Sequence, residues 1–79
     1  MEVKERIINL LAEKFGCNSF DINEGSRFVE DLECDSLDVV EVIMGIEKEF
    51  GITIADEEAN NIFTVGDLIK KVENIRMGR

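Results

Sequence analysis

The stretch Ser36-Leu37-Asp38-Val39-Val40-Glu41-Val42-Ile43-Met44-Gly45-Ile46-Glu47-Lys48-Glu49-Phe50 decides the fold. With about 100° per residue and Ser36 at zero, Val39, Val42, Ile43, Ile46 and Phe50 share an arc from about 240° to 340°. That arc is wide enough to be the buried face of a helix. Asp38 and Glu41 fall outside it, at about 200° and 140°. Leu37, Val40 and Met44 form a second apolar stripe near 40° to 100°, beside Ser36 and Glu47. Two readings of that stripe stand side by side. It packs beneath a loop and fills the bundle, or it is an exposed strip ringed by Asp35, Asp38, Glu41 and Glu47 that docks a partner. Met44 suits a surface that meets several partners. Gly45 costs a helix interior about 1 kcal/mol relative to Ala, and close packing is the reason expected for it.

Outward from this helix, Asp35 reads as its N-cap, with Asp38 near the positive end of the dipole. Gly51 reads as its stop. Upstream, Val3, Ile7, Leu10, Leu11 and Phe15 keep helical spacing, and Gly16 ends a helix over residues 3–15. Residues 17–35 are a long loop with apolar anchors at Phe20, Ile22, Phe28, Val29 and Leu32. Downstream, Ile52-Thr53-Ile54 reads as extended linker. Asp56-Glu57-Glu58-Ala59 starts a short third helix, with Asp56 expected to cap it. Thr64 and Asp67 form a capping box for a fourth helix carrying Val65, Leu68, Ile69, Val72 and Ile75. The expected fold is all-α: a small four-helix bundle, with three main helices, one short one, and a long loop between the first two.

Composition agrees. Seventy-nine residues suit a single domain over 1–79, and there is no Pro, Trp or Tyr. Cys17 and Cys34 are too few for a disulfide framework and read as reduced thiols. The first residues interleave acids with bases and have no apolar core, so no signal peptide is expected. No apolar run is long enough to span a membrane, and a cytoplasmic location follows as the expectation. The net charge of −9 is uneven: residues 21–60 carry thirteen acids and two bases, whereas residues 1–20 balance to zero. Such a surface repels nucleic acid and anionic lipid and attracts basic protein patches.

The chain has no His, which excludes the Ser-His and Cys-His arrangements of nucleophilic enzymes. It has no zinc-type Cys/His cluster and no Gly-rich phosphate loop. The run from Asp31 fails the calcium-loop template, because Ser36 stands where Gly is required and Val42 where a bidentate Glu is required. Weak divalent-ion binding by Glu30, Asp35 and Asp38 is the most that these acids suggest. Bare Asp35-Ser36-Leu37 signals no more than a helix start.

Taken together, Phe28-Val29-Glu30-Asp31-Leu32 and Asp35-Ser36-Leu37-Asp38 resemble the attachment motif of the acyl carrier proteins of fatty acid synthesis. Val40-Glu41, Met44, Glu47 through Phe50, Asp56 through Ala59 and Ile62 through Val65 extend the resemblance over nearly the whole chain. It implies that Ser36 receives 4'-phosphopantetheine from coenzyme A through a holo-acyl-carrier-protein synthase, and that the arm carries acyl thioesters. It implies docking through Asp35, Leu37, Asp38, Val40, Glu41, Met44 and Glu47. It also implies an acyl pocket lined by Phe28, Ile46, Ile54, Ala59 and Ile62. The partners implied are malonyl transacylase, ketosynthases, reductases, dehydratases and acyltransferases with basic docking patches, served by a monomer that is itself no enzyme. A carrier specialised for aminoacyl, polyketide or lipid A-type groups is the alternative within the class. An acidic interaction module without a prosthetic group is the alternative outside it. The chain departs from the family pattern at Glu33-Cys34, where small residues are common, at Ala55, where Pro is usual, and at Lys48, which interrupts a run of acids.

Overall fold

A computed structural model describes residues 2–78. Four helices form: α1 (Val3–Phe15), α2 (Ser36–Phe50), α3 (Asp56–Ala59) and α4 (Val65–Gly78). Among the described residues there is no strand, only an isolated antiparallel bridge between Arg27 and Thr64. The all-α bundle expected from the sequence is what forms.

The helix ends have local causes. Gly16 and Gly51 close α1 and α2 in the left-handed region, at φ 68° and 65°, where a side chain would be strained. Before α4, the Thr64 hydroxyl accepts the Asp67 N–H at 3.0 Å. The Asp67 carboxylate in turn accepts the N–H groups of Thr64 at 3.1 Å and Phe63 at 3.0 Å. This is the expected capping box, with its acceptor extended to one more donor. The start of α3 differs from expectation. Ala55, not Asp56, is the N-cap, and no side chain caps it. Asp56, Glu57 and Glu58 occupy the first turn, where they face the positive end of the dipole.

One core joins the helices. Ile7, Leu11 and Ala12 enter it from α1, Val42, Ile43 and Ile46 from α2, and Val65, Leu68, Ile69 and Val72 from α4. Val39 and Phe50 flank it half-buried, so the first apolar arc of α2 is the core face. Ile54 and Ile62, on either side of α3, are buried in the same cluster.

Residues 17–35 are held by backbone hydrogen bonds as well as by apolar anchors. The Phe28 N–H donates to the Phe63 carbonyl at 3.0 Å, the Val65 N–H to Ser26 at 2.9 Å, and the Gly66 N–H to Glu24 at 2.8 Å. Ile22 and Phe28 are buried and Leu32 is half-buried. Phe20 and Val29, expected to be anchors, are not: they are 92% and 64% exposed. Phe20 lies in a 3-10 turn, Ser19–Asp21, that the Asn18 side chain opens by accepting the Phe20 N–H at 3.1 Å. Val29 stands on a turn closed by the Asp31 and Leu32 N–H groups on the Arg27 carbonyl.

The acidic middle segment is partly neutralised from outside itself. Lys4, Arg6 and Lys14 of α1 pair with Glu24 at 2.8 Å, Glu49 at 2.7 Å and Glu41 at 2.9 Å. Lys71 of α4 reaches Glu58 at 3.4 Å. Among the described residues no helix is long and apolar enough to cross a membrane.

Candidate functional site

Ser36 is exposed at the first position of α2. The residues on either side fix that position. The Asp35 carboxylate accepts the Asp38 N–H at 2.9 Å, and the Asp38 carboxylate accepts the Asp35 N–H at 3.3 Å. This reciprocal cap fixes where α2 begins and so where the serine hydroxyl stands. Ahead of it the chain turns through Glu33, whose φ of 57° is left-handed. A non-glycine residue there costs about 1–2 kcal/mol. Cys34 is buried and donates its N–H to the Phe28 carbonyl at 2.8 Å. Burial, followed by the nearby Asp38 and Asp35 charges, pushes its thiol above the usual range. A neutral, covered sulfur two residues from Ser36 is no nucleophile.

The second stripe of α2 lies on the surface. Leu37 is 64% exposed, Val40 49% and Met44 61%. The stripe does not pack beneath the loop. Asp35 and Glu41 are exposed at its margin, while Asp38 and Glu47 are half-buried. Two of these acids have internal partners that the sequence did not reveal. Glu41 pairs with Lys14, and the Glu47 carboxylate accepts the Ile54 N–H at 2.7 Å.

Phe28, Ile46, Ile54 and Ile62 are buried in one cluster, and Ala59 packs half-buried against it. The five residues expected to line a pocket thus stand together, closed on one another. Two recesses on the surface lie elsewhere. One, of about 470 Å³, is bordered by Arg6, Leu10, Glu13 and Glu49. The other, of about 510 Å³, is bordered by Glu24, Thr64, Asp67 and Lys70. Glu30 is not gathered with Asp35 and Asp38. It pairs with Arg27 at 3.2 Å, and no group of three or more His, Cys, Asp or Glu able to hold a metal forms among the described residues.

The family model for the phosphopantetheine attachment site matches residues 5–72. The acyl carrier protein of Rickettsia massiliae is 46% identical over 72 residues, which cover 91% of this chain and 84% of that one. The acyl carrier protein of Sinorhizobium fredii is 40% identical over 72 residues, covering 91% of this chain and 92% of that one. The chain belongs to the acyl carrier protein family. Its cofactor is therefore covalent 4'-phosphopantetheine, and its role is acyl carriage.

The site residues fit this group. An acyl carrier protein must offer an open hydroxyl, and Ser36 is exposed. The first N–H groups of a helix have no partner within it, so a phosphodiester on this hydroxyl would meet donors and a favourable dipole end. Asp35 and Asp38, by repelling a phosphate there, would keep an attached arm off the start of the helix. When bound, the group supplies a terminal thiol that holds acyl chains as thioesters.

Proposed function

We propose that Ser36 is the attachment residue, and that this chain delivers thioester-bound acyl groups to the enzymes of fatty acid biosynthesis. One observation carries the reading: an exposed serine opens α2 directly beside the exposed strip Leu37, Val40 and Met44. The modified residue and the docking face share one rigid helix, so a partner that grips the strip fixes the root of the arm. The acids Asp35, Asp38, Glu41 and Glu47 steer basic partner surfaces to it, which favours fast, weak, exchangeable encounters. The holo-acyl-carrier-protein synthase supplies the base that this chain lacks. The Ser36 oxygen then forms its bond to the phosphorus of the pantetheine phosphate as the nucleotide part of coenzyme A leaves. The acyl chain shelters among Phe28, Ile46, Ile54, Ala59 and Ile62. Residues 1–79 act as one cytoplasmic carrier domain, a monomer without catalysis of its own.

The test is reconstitution. Holo protein is offered malonyl-coenzyme A with malonyl transacylase, then a ketosynthase and an acyl primer. The expected result is malonyl loading followed by condensation. Refusal by both enzymes, with loading by an aminoacyl-activating enzyme instead, would assign the chain to a specialised pathway.

A further inference from the structure

Glu41 is the one acid beside the docking strip that already holds a cation among the described residues. Its partner, Lys14, comes from the last turn of α1, twenty-seven positions away in sequence. The Lys14 ammonium lies 2.9 Å from the Glu41 carboxylate, and half of the Glu41 side chain stays exposed. Lys14 also feels the charge of Asp38, so its cation sits within reach of the start of α2 as well. Neither Asp35 nor Asp38 stands in an ion pair among the described residues; each caps the other's backbone.

The docking face is therefore not uniformly acidic. At its Ser36 end neither carboxylate stands in an ion pair among the described residues, although the Lys14 charge reaches Asp38. One turn further on, Glu41 is already matched from within. A partner with an Arg or Lys aimed at Glu41 must displace Lys14 or share the carboxylate with it. A partner whose cations meet Asp35 and Asp38 alone need not. An exposed ion pair opens readily and is worth little by itself, so Lys14 grades affinity without blocking the face.

We propose that Lys14 sets partner preference: it occupies Glu41 from α1 and so selects against partner proteins whose basic side chain must reach that acid. The proposal rests on the docking reading above, because it presupposes that basic surfaces approach the Leu37, Val40 and Met44 strip.

The experiment measures dissociation constants of the full chain with holo-acyl-carrier-protein synthase and with a ketosynthase, at low and high salt. Lys14→Gln is expected to tighten binding about two- to fivefold for at least one of the two at low salt, the scale of one exposed ion pair. Lys70→Gln makes the same change in net charge away from the strip and is expected to have a smaller effect. In a Glu41→Gln background, Lys14→Gln is expected to change nothing beyond that control. If Lys14→Gln matches Lys70→Gln for both partners, or acts equally without Glu41, the proposal is overturned while electrostatic docking stands. If Glu41→Gln, Asp38→Asn and added salt all leave binding unchanged, the docking reading itself fails, and the proposal with it.

Discussion

The Glu47 carboxylate accepts the Ile54 N–H at 2.7 Å, so an acid beside the exposed Leu37, Val40 and Met44 strip of α2 holds the linker that carries a buried core residue. Glu47 lies on the last turn of α2, and Ile54 follows Gly51, where the chain leaves that helix. The bond closes this corner and keeps Ile54 in the cluster with Phe28, Ile46 and Ile62. A half-buried hydrogen bond to a charged group contributes about 1.5–3 kcal/mol. Glu47→Ala is therefore expected to lower unfolding free energy by about 1.5–3 kcal/mol, measured by urea titration, with early hydrogen exchange at Ile54. Unchanged stability would mean that the corner is held by packing alone.

Gly45 and Gly66 should respond in opposite directions to the same substitution. A methyl group at Gly45 would meet only Leu10, at an ordinary 3.9 Å, so close packing does not explain this glycine. Gly45→Ala is expected to raise stability by about 1 kcal/mol through helix propensity. At Gly66 the same methyl would come within 2.9 Å of the Glu24 carbonyl, a backbone atom that cannot swing aside. Gly66→Ala is expected to destabilise and to loosen the hold of the loop on α4. Thermal melts of the two variants check both signs.

Ala55 has φ −65°, the value that proline enforces. The helix α3 thus begins in a geometry that proline would share, although the residue is absent. Ala55→Pro is expected to add about 0.4–1 kcal/mol by restricting the unfolded chain. A lower melting temperature would contradict this.

Stability should fall at both extremes of pH. The Phe63 N–H, and then the N–H and hydroxyl of Thr64, hold the Asp67 carboxyl below its usual range. The Arg27 backbone N–H and guanidinium do the same for Asp31. Carboxyls lowered in the fold stabilise it above their ordinary pKa of about 4 and lose that contribution as pH falls through the folded values. Burial raises the Cys34 thiol, so its contribution is complete below the ordinary thiol value of about 8.5 and is lost as pH rises through the folded one. Melting temperature against pH should show an acid limb and an alkaline limb. Cys34→Ala should remove the first part of the alkaline one, leaving the later loss from Lys4 and Lys14, whose pairing with Glu24 and Glu41 raises them in the fold. Alkylation at neutral pH should reach exposed Cys17 before buried Cys34.

Much of this was legible in the sequence where periodicity and caps operate. Helices α1, α2 and α4, the Asp35 cap, the Thr64 capping box and the core arc of α2 all follow from local spacing, whereas the return bond from Asp38 that completes a box at Asp35 was not read. The loop was less legible because an irregular chain has no period to say which side chains face inward. Phe20 and Val29 looked like Phe28 and turned out exposed. Asn18 before Ser19 was a usable signal for the missed 3-10 turn. The bridge from Arg27 to Thr64, the pairing of Lys14 with Glu41 and the hold of Glu47 on Ile54 join distant positions, so no local pattern announces them. Asp56 was expected to cap α3 because Asp favours caps, but the chain enters that turn one residue earlier, at Ala55.

The most direct measurement is the intact mass of the chain after incubation with coenzyme A and a holo-acyl-carrier-protein synthase, beside Ser36→Ala. The wild-type chain is expected to gain one phosphopantetheinyl group, with the adduct mapping to the peptide that holds Ser36. The folded Ser36→Ala protein is expected to gain nothing. An unmodified wild-type chain, or an adduct on Ser36→Ala, would contradict the assignment of Ser36 as the attachment residue.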